Sequence, residues 1–318
     1  MPAVVRKLLD LAAITVALCL VSAAPQAGIK RDVNKSFQVS PGGELVVETD
    51  LGSVEVRAGR GNEVNVEILL ETETNKEEKA EQIFNDFTVD FEQQGNDVYV
   101  TGECAKSDNG WRFWETRRKP LRVSFIIEVP REYNATVRTS GGNISVGNLK
   151  GAVRVKTSGG SLSFDQIEGP VEGNTSGGSI QLAGCTGSAD VTTSGGSIEI
   201  GRVEGDVVAH TSGGSISVDE VFGTIDASTS GGSVTVHLSE QPKAGCRLET
   251  SGGNVTVYMP RDIDIDLDAK TSGGRVHNDF PVRLSGRISK TSVQAEINNG
   301  GPELYLRTSG GNIYLSEL

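Results

Sequence analysis

Residues that carry catalytic or metal chemistry are scarce in this sequence. Of its 318 residues only four are cysteine, three are histidine and two are tryptophan. Three scattered histidines, His210, His237 and His277, offer little material for a Ser/His/Asp or Cys/His arrangement. No Cys-x-x-Cys pair or histidine cluster indicates a metal site. We therefore expect no cofactor and no metal, and we expect each histidine to be a solvated or edge residue.

Positive charge is also in short supply. The chain has 30 Lys and Arg against 42 Asp and Glu, a formal net charge of −12. Nucleic-acid binding needs a basic face, so this balance argues against a nucleic-acid partner. Glycine, in contrast, is abundant at 40 residues, which indicates many tight turns between short strands.

The first residues have the layout of a secretory leader. Arg6 and Lys7 precede an apolar run from Leu11 to Val21, and small residues follow it. This pattern predicts a signal peptide over residues 1–24 and a protein that is exported to the periplasm, the cell surface or the medium. The apolar run is short for a membrane span, and an uncleaved anchor is the alternative.

A repeat organises most of the remaining chain. Thr-Ser-Gly-Gly begins at Thr139 and recurs every 18 residues as far as Thr229, then begins at Thr250, Thr271 and Thr308. A weaker copy, Lys-Thr-Ser-Val, begins at Lys290. A fixed period near 18–21 residues is typical of a solenoid, in which each copy is one coil that buries its apolar face against its neighbours.

The columns of the repeat predict two strands per coil. Apolar residues stand two and four positions after each glycine pair, with polar residues between them, as in Ile144 and Val146 or Ile180 and Leu182. A second alternating segment, such as Val153 and Val155, precedes each threonine. Period-two alternation indicates half-buried strands. The prediction is an all-β fold, a β-solenoid of 18–21-residue coils over residues 131–318.

The tetrapeptide itself is interpreted as a stacked corner rather than a binding site. Glycine permits positive φ at a sharp corner and lets identical corners stack without collision. Threonine and serine hydroxyls can bond to the corner backbone or to the next coil. The predicted corner glycines are Gly141, Gly142, Gly159, Gly160, Gly177, Gly178, Gly195, Gly196, Gly213, Gly214, Gly231, Gly232, Gly252, Gly253, Gly273, Gly274, Gly310 and Gly311.

Residues 28–130 form a less regular N-terminal β-rich region. The stretch "ETDLGSVEV" is like a worn copy of the repeat, and "FTVDFEQQGNDVYVTGE" predicts a hairpin around Gln94–Asn96. Between them, "TNKEEKAEQIFNDF" predicts a short amphipathic helix with a capping box of Thr74 and Glu77. Such a unit would cover the first exposed coil of the solenoid.

One insert in this region holds both tryptophans. Aromatic and arginine residues dominate binding hot spots, so the insert is a candidate loop for a sugar or partner protein. A plug packed on the end of the solenoid is the alternative. The candidate residues are Trp111, Arg112, Phe113, Trp114, Arg117 and Arg118.

The segment "RDIDIDLDAK" and the cysteines both follow the repeat columns. Asp262, Asp264, Asp266 and Asp268 share one side of a strand and are interpreted as its solvent face, with a cation site as the alternative. Cys185 and Cys246 fall in apolar columns and are predicted to be buried side chains too far apart for a disulfide. Cys104 lies outside the repeats.

The order of these motifs resembles a known family. A "GxVxV" strand pair near residues 52–66, a variable insert, the strand ending "IIEVP" at Pro130 and tandem "TSGGxIxV" coils are similar to the bacterial putative-adhesin family of β-strand-repeat domains of unknown function. The resemblance spans residues 36–318. It implies a β-strand-repeat fold and an exported or envelope-associated location, and it carries over no catalytic residues.

Two classes of function follow. The favoured one is a non-enzymatic envelope or surface scaffold that presents a flat Ser/Thr-rich face to a polysaccharide or an envelope protein. The predicted ladders contain Ser161, Ser179, Ser197, Ser215 and Ser233 together with Ser145, Ser163, Ser217, Thr235 and Thr256. The alternative is a β-helix enzyme acting on acidic polysaccharide. The last segment, "GGNIYLSEL", is predicted to be a free edge strand ending at Leu318 that permits self-association.

Overall fold

Two long β-sheets face each other and enclose one apolar core. The computed structural model describes residues 28–105 and 121–318, so the leader and the Trp-rich insert lie outside the described residues. Each sheet is built mainly from parallel strands, one from each coil in each sheet. Within the described residues the fold is all-β with one short helix, which confirms the predicted β-solenoid.

Sheet A has thirteen strands, which lie in the spatial order β1 (Ile29–Gln38), β4 (Glu63–Thr72), β7 (Leu121–Pro130), β3 (Ser53–Gly59), β9 (Ile144–Val146), β11 (Leu162–Ile167), β13 (Ile180–Cys185), β15 (Ile198–Val203), β17 (Ile216–Val221), β19 (Val234–Leu238), β21 (Val255–Met259), β27 (Ile313–Glu317) and β23 (Val276–Asn278). Sheet B has fourteen, in the order β24 (Val282–Ile288), β25 (Ser292–Ile297), β22 (Ile265–Thr271), β26 (Glu303–Thr308), β20 (Cys246–Thr250), β18 (Ile225–Thr229), β16 (Val207–His210), β14 (Ala189–Thr192), β12 (Val171–Asn174), β10 (Val153–Thr157), β8 (Asn134–Thr139), β2 (Glu44–Thr49), β6 (Asp97–Cys104) and β5 (Phe87–Gln94).

A coil consists of one strand in sheet B, the Thr-Ser-Gly-Gly turn and one strand in sheet A. Successive coils stack in register, so that Leu162 lies opposite Ile180 and Ile180 opposite Ile198. The first coil is β2 and β3, which pair with β8 and β9 and come from the N-terminal region. The interpretation of "ETDLGSVEV" as a worn repeat is therefore confirmed.

The N-terminal end is closed by antiparallel strands and the helix. Sheet A continues through β7, β4 and β1, and sheet B through β6 and the β5–β6 hairpin, whose turn lies at Gly95 as predicted. Helix α1 (Glu77–Asn85) buries Ala80, Ile83 and Phe84. The predicted capping box is wrong, because the helix begins after Lys76 and no side chain caps it. Thr74 Oγ1 instead accepts a hydrogen bond from the Lys76 N–H.

The C-terminal coils do not stack in chain order. After β20 and β21, the next coil in space is β26 and β27, and the coil β22 and β23 lies beyond it. The chain thus leaves a gap of one coil, forms β22 to β25, and returns to fill the gap with its last strands. The weak repeat copy at Thr291 is not a coil, because it leads into β25, which pairs antiparallel with β22 and β24.

This arrangement corrects the prediction of a free C-terminal edge. Strand β27 pairs with β21 on one side and with β23 on the other. At this end of the solenoid the described edges are instead β23 in sheet A and the antiparallel strand β24 in sheet B. Strand β27 is therefore not a free edge for self-association near Leu318, because the backbone N–H and C=O groups of an interior strand are already paired.

Small and branched apolar side chains fill the core between the sheets. Where one strand carries a large side chain, the strand opposite carries a small residue. Phe164 in β11 is buried, and it faces Gly173 in β12, where other coils carry valine, alanine or leucine. A Cβ atom at Gly173 would lie 3.1 Å from the Phe164 ring. The large side chain is accommodated because the opposite one is absent, which keeps the packing close without moving the backbone.

Candidate binding surface

The threonine of each Thr-Ser-Gly-Gly copy is buried and bonds to the neighbouring coil. Its hydroxyl donates to the carbonyl of the second glycine one coil away, as from Thr193 Oγ1 to Gly178 O at 2.8 Å. All nine copies make this bond, at 2.6–3.0 Å. These hydroxyls satisfy buried or part-buried carbonyls and are not available to a ligand.

The residue after each glycine pair forms a second ladder. The side-chain oxygen of Ser179 accepts from the Ser197 N–H at 3.3 Å, and Ser197 Oγ accepts in turn from the Ser215 N–H at 3.2 Å. Asparagine does the same where it replaces serine, as Asn254 Oδ1 does for the Asn312 N–H. The predicted bonding of hydroxyls from coil to coil is therefore present. Because the side-chain oxygens of this ladder already accept these bonds, they are less available as acceptors for a ligand.

The second glycine of each copy lies against the backbone of the next coil. A Cβ atom at Gly160 would lie 1.9 Å from Gly142 O, and one at Gly196 would lie 2.2 Å from Gly178 O. The first glycine of the same turn is freer, since nothing lies within 4 Å of a Cβ at Gly159. None of the corner glycines adopts positive φ, so that part of the prediction is wrong. Close stacking, rather than backbone handedness, requires the glycine.

The serine of each copy is the hydroxyl that remains outside. All nine are exposed, and the structure gives their side chains no hydrogen bond within the described part of the chain. Strands of neighbouring coils are about 4.8 Å apart, so the hydroxyls form a regular row along one edge of the solenoid. We refer to this row as the serine edge: Ser140, Ser158, Ser176, Ser194, Ser212, Ser230, Ser251, Ser309 and Ser272.

A depression of about 490 Å³ lies at the C-terminal end of the serine edge. Ser251, Ser309 and Ser272 line it together with the charged residues Lys270, Arg307 and Glu249. The out-of-order coil creates this grouping, because it brings Arg307 opposite Lys270 in the parallel pair β22–β26. Sequence reasoning missed the cluster, since the two cations are distant in the chain.

The outward face of sheet A differs along its length. In the middle coils a depression of about 500 Å³ is lined by Asp165, Glu199 and Asp219, with the small residues Ala183 and Gly201 between them. Toward the C-terminal end the face becomes aromatic. The predicted Ser163 and Ser217 also line the depression, and Ser145, Thr235 and Thr256 are half-buried on the same face.

The histidines lie at the surface, as expected. His237 stacks on Tyr258 with ring centroids 4.6 Å apart, and His277 stacks on Tyr314 at 5.0 Å. His210 is half-buried in sheet B, and its Nδ1 lies 2.7 Å from Ser228 Oγ. No group of three or more His, Cys, Asp or Glu side chains suited to a metal ion occurs among the described residues.

The aspartates of "RDIDIDLDAK" alternate outward while Ile263, Ile265 and Leu267 are buried, as predicted. Two of them also hold the link between β25 and β26. Asp264 Oδ1 accepts from the Asn299 N–H at 3.1 Å, and Asp266 Oδ1 accepts from the Gly301 N–H at 3.1 Å. These carboxylates anchor the chain where it crosses from one side of β22 to the other.

The three cysteines of the described residues are free thiols, and the positions of Cys185 and Cys246 match the columns. Cys185 and Cys246 are buried, in sheet A and sheet B respectively, and Cys104 is half-buried. Burial raises the pKa of the Cys185 thiol to about 11 and raises the pKa of Cys246. Because the thiolate is the reactive form, both core thiols are poor nucleophiles in the folded protein.

Several predicted features fall outside the described residues. The Trp-rich candidate loop, with Trp111, Arg112, Phe113, Trp114, Arg117 and Arg118, lies in the undescribed stretch 106–120. The signal peptide lies in residues 1–27, which are also undescribed. Among the residues that the structure covers, no helix has the length and apolar character needed to cross a bilayer.

The fold and its stacked turns define a two-sheet β-solenoid with an exposed hydroxyl edge. The chain belongs to the Toastrack DUF4097 family, whose profile matches residues 43–316. This agrees with the resemblance to adhesin-like repeat domains of unknown function. Among proteins with curated descriptions, none matches the sequence.

The chain is also similar to several solved structures of bacterial proteins. A putative adhesin from Parabacteroides merdae is 13% identical over 90% of this chain and 96% of its own, with a TM-score of 0.45. A putative adhesin from Bacteroides fragilis is 10% identical over 91% and 97%, with a TM-score of 0.36. A putative lipid binding protein from Parabacteroides distasonis is 11% identical over 90% and 96%, with a TM-score of 0.38.

Proposed function

We propose that the protein is an exported, non-enzymatic, adhesin-like scaffold that binds a glycan along its serine edge. The proposal rests on one observation, namely that the two hydroxyls of each turn have different surroundings. The threonine hydroxyl is buried and bonded, as at Thr193, whereas the adjacent Ser194 is exposed and has no hydrogen bond within the described structure. A hydroxyl that the fold does not use is available to a partner.

The spacing of the edge supports a polymeric ligand. Identical hydroxyls recur at one-coil intervals, about 4.8 Å apart, so a linear chain lying along the edge could bond to several of them at once. Each neutral hydrogen bond contributes only about 1 kcal/mol, but linked contacts add through effective concentration. A flat, rigid row without a deep pocket therefore fits a repetitive partner better than a small molecule.

The test is a glycan array probed with the full chain and with a triple variant, Ser176→Ala, Ser194→Ala and Ser212→Ala. These side chains are exposed, so we expect the variant to fold normally. Losing three hydrogen bonds should weaken binding at least tenfold. Ser163→Ala with Ser217→Ala is the matched control, because it removes hydroxyls from the face of sheet A and should leave binding unchanged.

A Trp111→Ala and Trp114→Ala variant separates this proposal from the loop that the sequence suggested. Glycan binding that disappears in the tryptophan variant and persists in the serine variant would contradict a site on the serine edge. Binding only of envelope proteins, with no glycan recognised, would contradict the proposed ligand class while leaving a scaffold role.

A second candidate function has one observation in its favour. Glu199 and Asp219 lie on adjacent strands of sheet A, diagonal to each other across the small residue Gly201, in the 500 Å³ depression. Diagonal neighbours on adjacent strands are within reach of long side chains, and paired carboxyl groups about 5–9.5 Å apart can cleave glycosidic bonds. This is the enzyme alternative. Release of reducing ends from polysaccharides, abolished in Glu199→Gln and Asp219→Asn, would support it.

A further inference from the structure

The rows beside the serine edge carry a charge opposite to that of the whole protein. Each copy contributes three positions: the residue before the threonine, the serine, and the residue after the glycine pair. Across all nine copies these positions hold five cations and one carboxylate, a net charge of +4 in a chain of −12. The charged residues are Arg138, Lys156, Lys270, Arg275, Arg307 and Glu249.

Ion pairing neutralises three members of this set. The Glu249 carboxylate lies 2.9 Å from Arg247, which is not one of these three positions, and Arg247 neutralises it. Arg138 pairs with Glu48 at 3.0 Å, and Arg307 pairs with Asp268 at 2.7 Å.

Lys156, Lys270 and Arg275 have no ion pair among the residues that the structure describes, and all three are exposed. The three positions beside and along the serine edge therefore carry positive charge that no ion pair compensates.

The two lysines stand near opposite ends of the serine edge. Lys156 is in β10 and Lys270 is in β22, seven strand steps apart in sheet B. At about 4.8 Å per step they are about 34 Å apart along the edge. Between them the residues that precede the threonines are mostly neutral, as at Asn174, Thr192 and Ser228.

The charges close to the serine edge determine whether it favours an anionic or a cationic ligand. At physiological ionic strength the screening length is about 8 Å, so carboxylates farther away than this contribute little at the edge. The nearer carboxylates Glu172, Glu249 and Asp268 are paired with Arg154, Arg247 and Arg307. A ligand held there by serine hydroxyls is also within reach of Lys156 near one end of the row and of Lys270 in the terminal depression. Carboxylate and sulfate groups are the partners that such cations favour.

We infer that the ligand of the serine edge is a linear acidic polysaccharide that spans the row from Lys156 to Lys270. The inference rests on the proposed function, since it names the class of glycan that the same edge binds. The serines hydrogen-bond the sugar chain, and the terminal cations select its negative charge.

The experiment measures binding of the full chain to polygalacturonate, heparin and neutral dextran, at two salt concentrations. Polygalacturonate carries carboxylates alone and heparin carries sulfates as well as carboxylates, so binding of heparin without binding of polygalacturonate identifies sulfate as the recognised group. We expect tight, salt-sensitive binding to at least one of the two polyanions and at least tenfold weaker binding to dextran. A short acidic oligomer that reaches only one lysine should bind more weakly than the polymer.

The variant for this test is Lys156→Gln with Lys270→Gln, and the matched control is Lys243→Gln, an exposed lysine away from the edge. The double variant should lose about tenfold in affinity for the polyanion and part of the salt dependence, while the control should lose neither. Equal binding of dextran, or a double variant that binds as tightly as the native chain, would overturn the acidic ligand and leave glycan binding intact. No binding of any glycan would overturn the proposed function as well.

Discussion

The middle coils and the C-terminal coils use the same turn but are ordered in different ways. From β8 to β21 each coil stacks on the one that precedes it in the chain. In the last part, the coil β26–β27 lies between β20–β21 and β22–β23. Yet the bonds of its turn are ordinary, since Thr308 Oγ1 donates to Gly253 O at 2.7 Å and Thr271 Oγ1 to Gly311 O at 2.7 Å.

The comparison shows that the turn chemistry stacks coils without specifying their order. A threonine hydroxyl that donates to a glycine carbonyl fits any neighbouring copy, because every copy offers the same two groups. In the middle coils the short connections determine which copies become neighbours. In the C-terminal coils the order is held by contacts other than the bonds of the turn, namely Asp264 with Asn299, Asp266 with Gly301 and Asp268 with Arg307.

Breaking the stacking in the middle should have the largest effect. In Gly160→Ala the new Cβ would lie 1.9 Å from Gly142 O, so two coils must separate. We expect a loss of about 3 kcal/mol or more in the free energy of unfolding. Gly159→Ala is the control from the same turn, because its Cβ has open space. It should change stability by less than about 1 kcal/mol. Equal losses in urea denaturation of both variants would refute the stacking explanation.

Removing one threonine hydroxyl should cost less. Thr193→Val keeps the shape of the side chain but deletes the donor to Gly178 O, leaving a part-buried carbonyl unpaired. We expect about 2 kcal/mol of destabilisation, from the same denaturation measurement. Ser194→Ala, one residue along, should be within about 0.5 kcal/mol of the native protein because that hydroxyl is exposed. A serine variant as unstable as the valine variant would contradict the assignment of the two hydroxyls.

Loosening the C-terminal order should affect one region only. Asp266→Ala removes the acceptor for the Gly301 N–H, and hydrogen bonds to a charged group contribute about 1.5 kcal/mol or more. We expect faster amide hydrogen exchange in β26 and β27, with exchange in β12 to β16 unchanged. Asp190→Ala, an exposed aspartate of the middle coils, serves as the control. Uniform acceleration across both regions would mean that Asp266 does not act locally.

The sequence was sufficient to predict the structure of a coil, but it was not sufficient to predict the order in which the coils stack. Columns such as Ile144, Leu162 and Ile180 carry the strand period, and the structure places them in one in-register ladder. The order β21, β27, β23 could not be inferred, because copies with identical turn chemistry have no preferred partner in the sequence. The free-edge prediction for Leu318 was wrong for the same reason.

The candidate site was visible in the sequence only in part. The repeat showed that hydroxyls line the turns, but the direction of each side chain decides which of them stay free. Thr193 and Ser194 are adjacent and equally polar, and only one is buried. The pairing of Lys270 with Arg307 depends on the out-of-order coil and therefore on tertiary structure.

Thiol labelling gives the finest comparison of the two regions. Cys185 lies between middle coils, whereas Cys246 lies in β20, whose neighbour on one side is the out-of-order strand β26. Burial raises the pKa of both thiols, so at pH 8 labelling requires local opening.

If the C-terminal coil opens more readily, Asp266→Ala should increase the alkylation rate of Cys246 several-fold and leave that of Cys185 unchanged. The ratio of variant to native rates at each thiol, followed by mass spectrometry, cancels the difference between their pKa values. An equal acceleration at Cys185 would show that the whole solenoid opens as one unit. The repeat ladder would then bind the last coil as firmly as the middle ones, and the contacts other than the bonds of the turn would determine only its place.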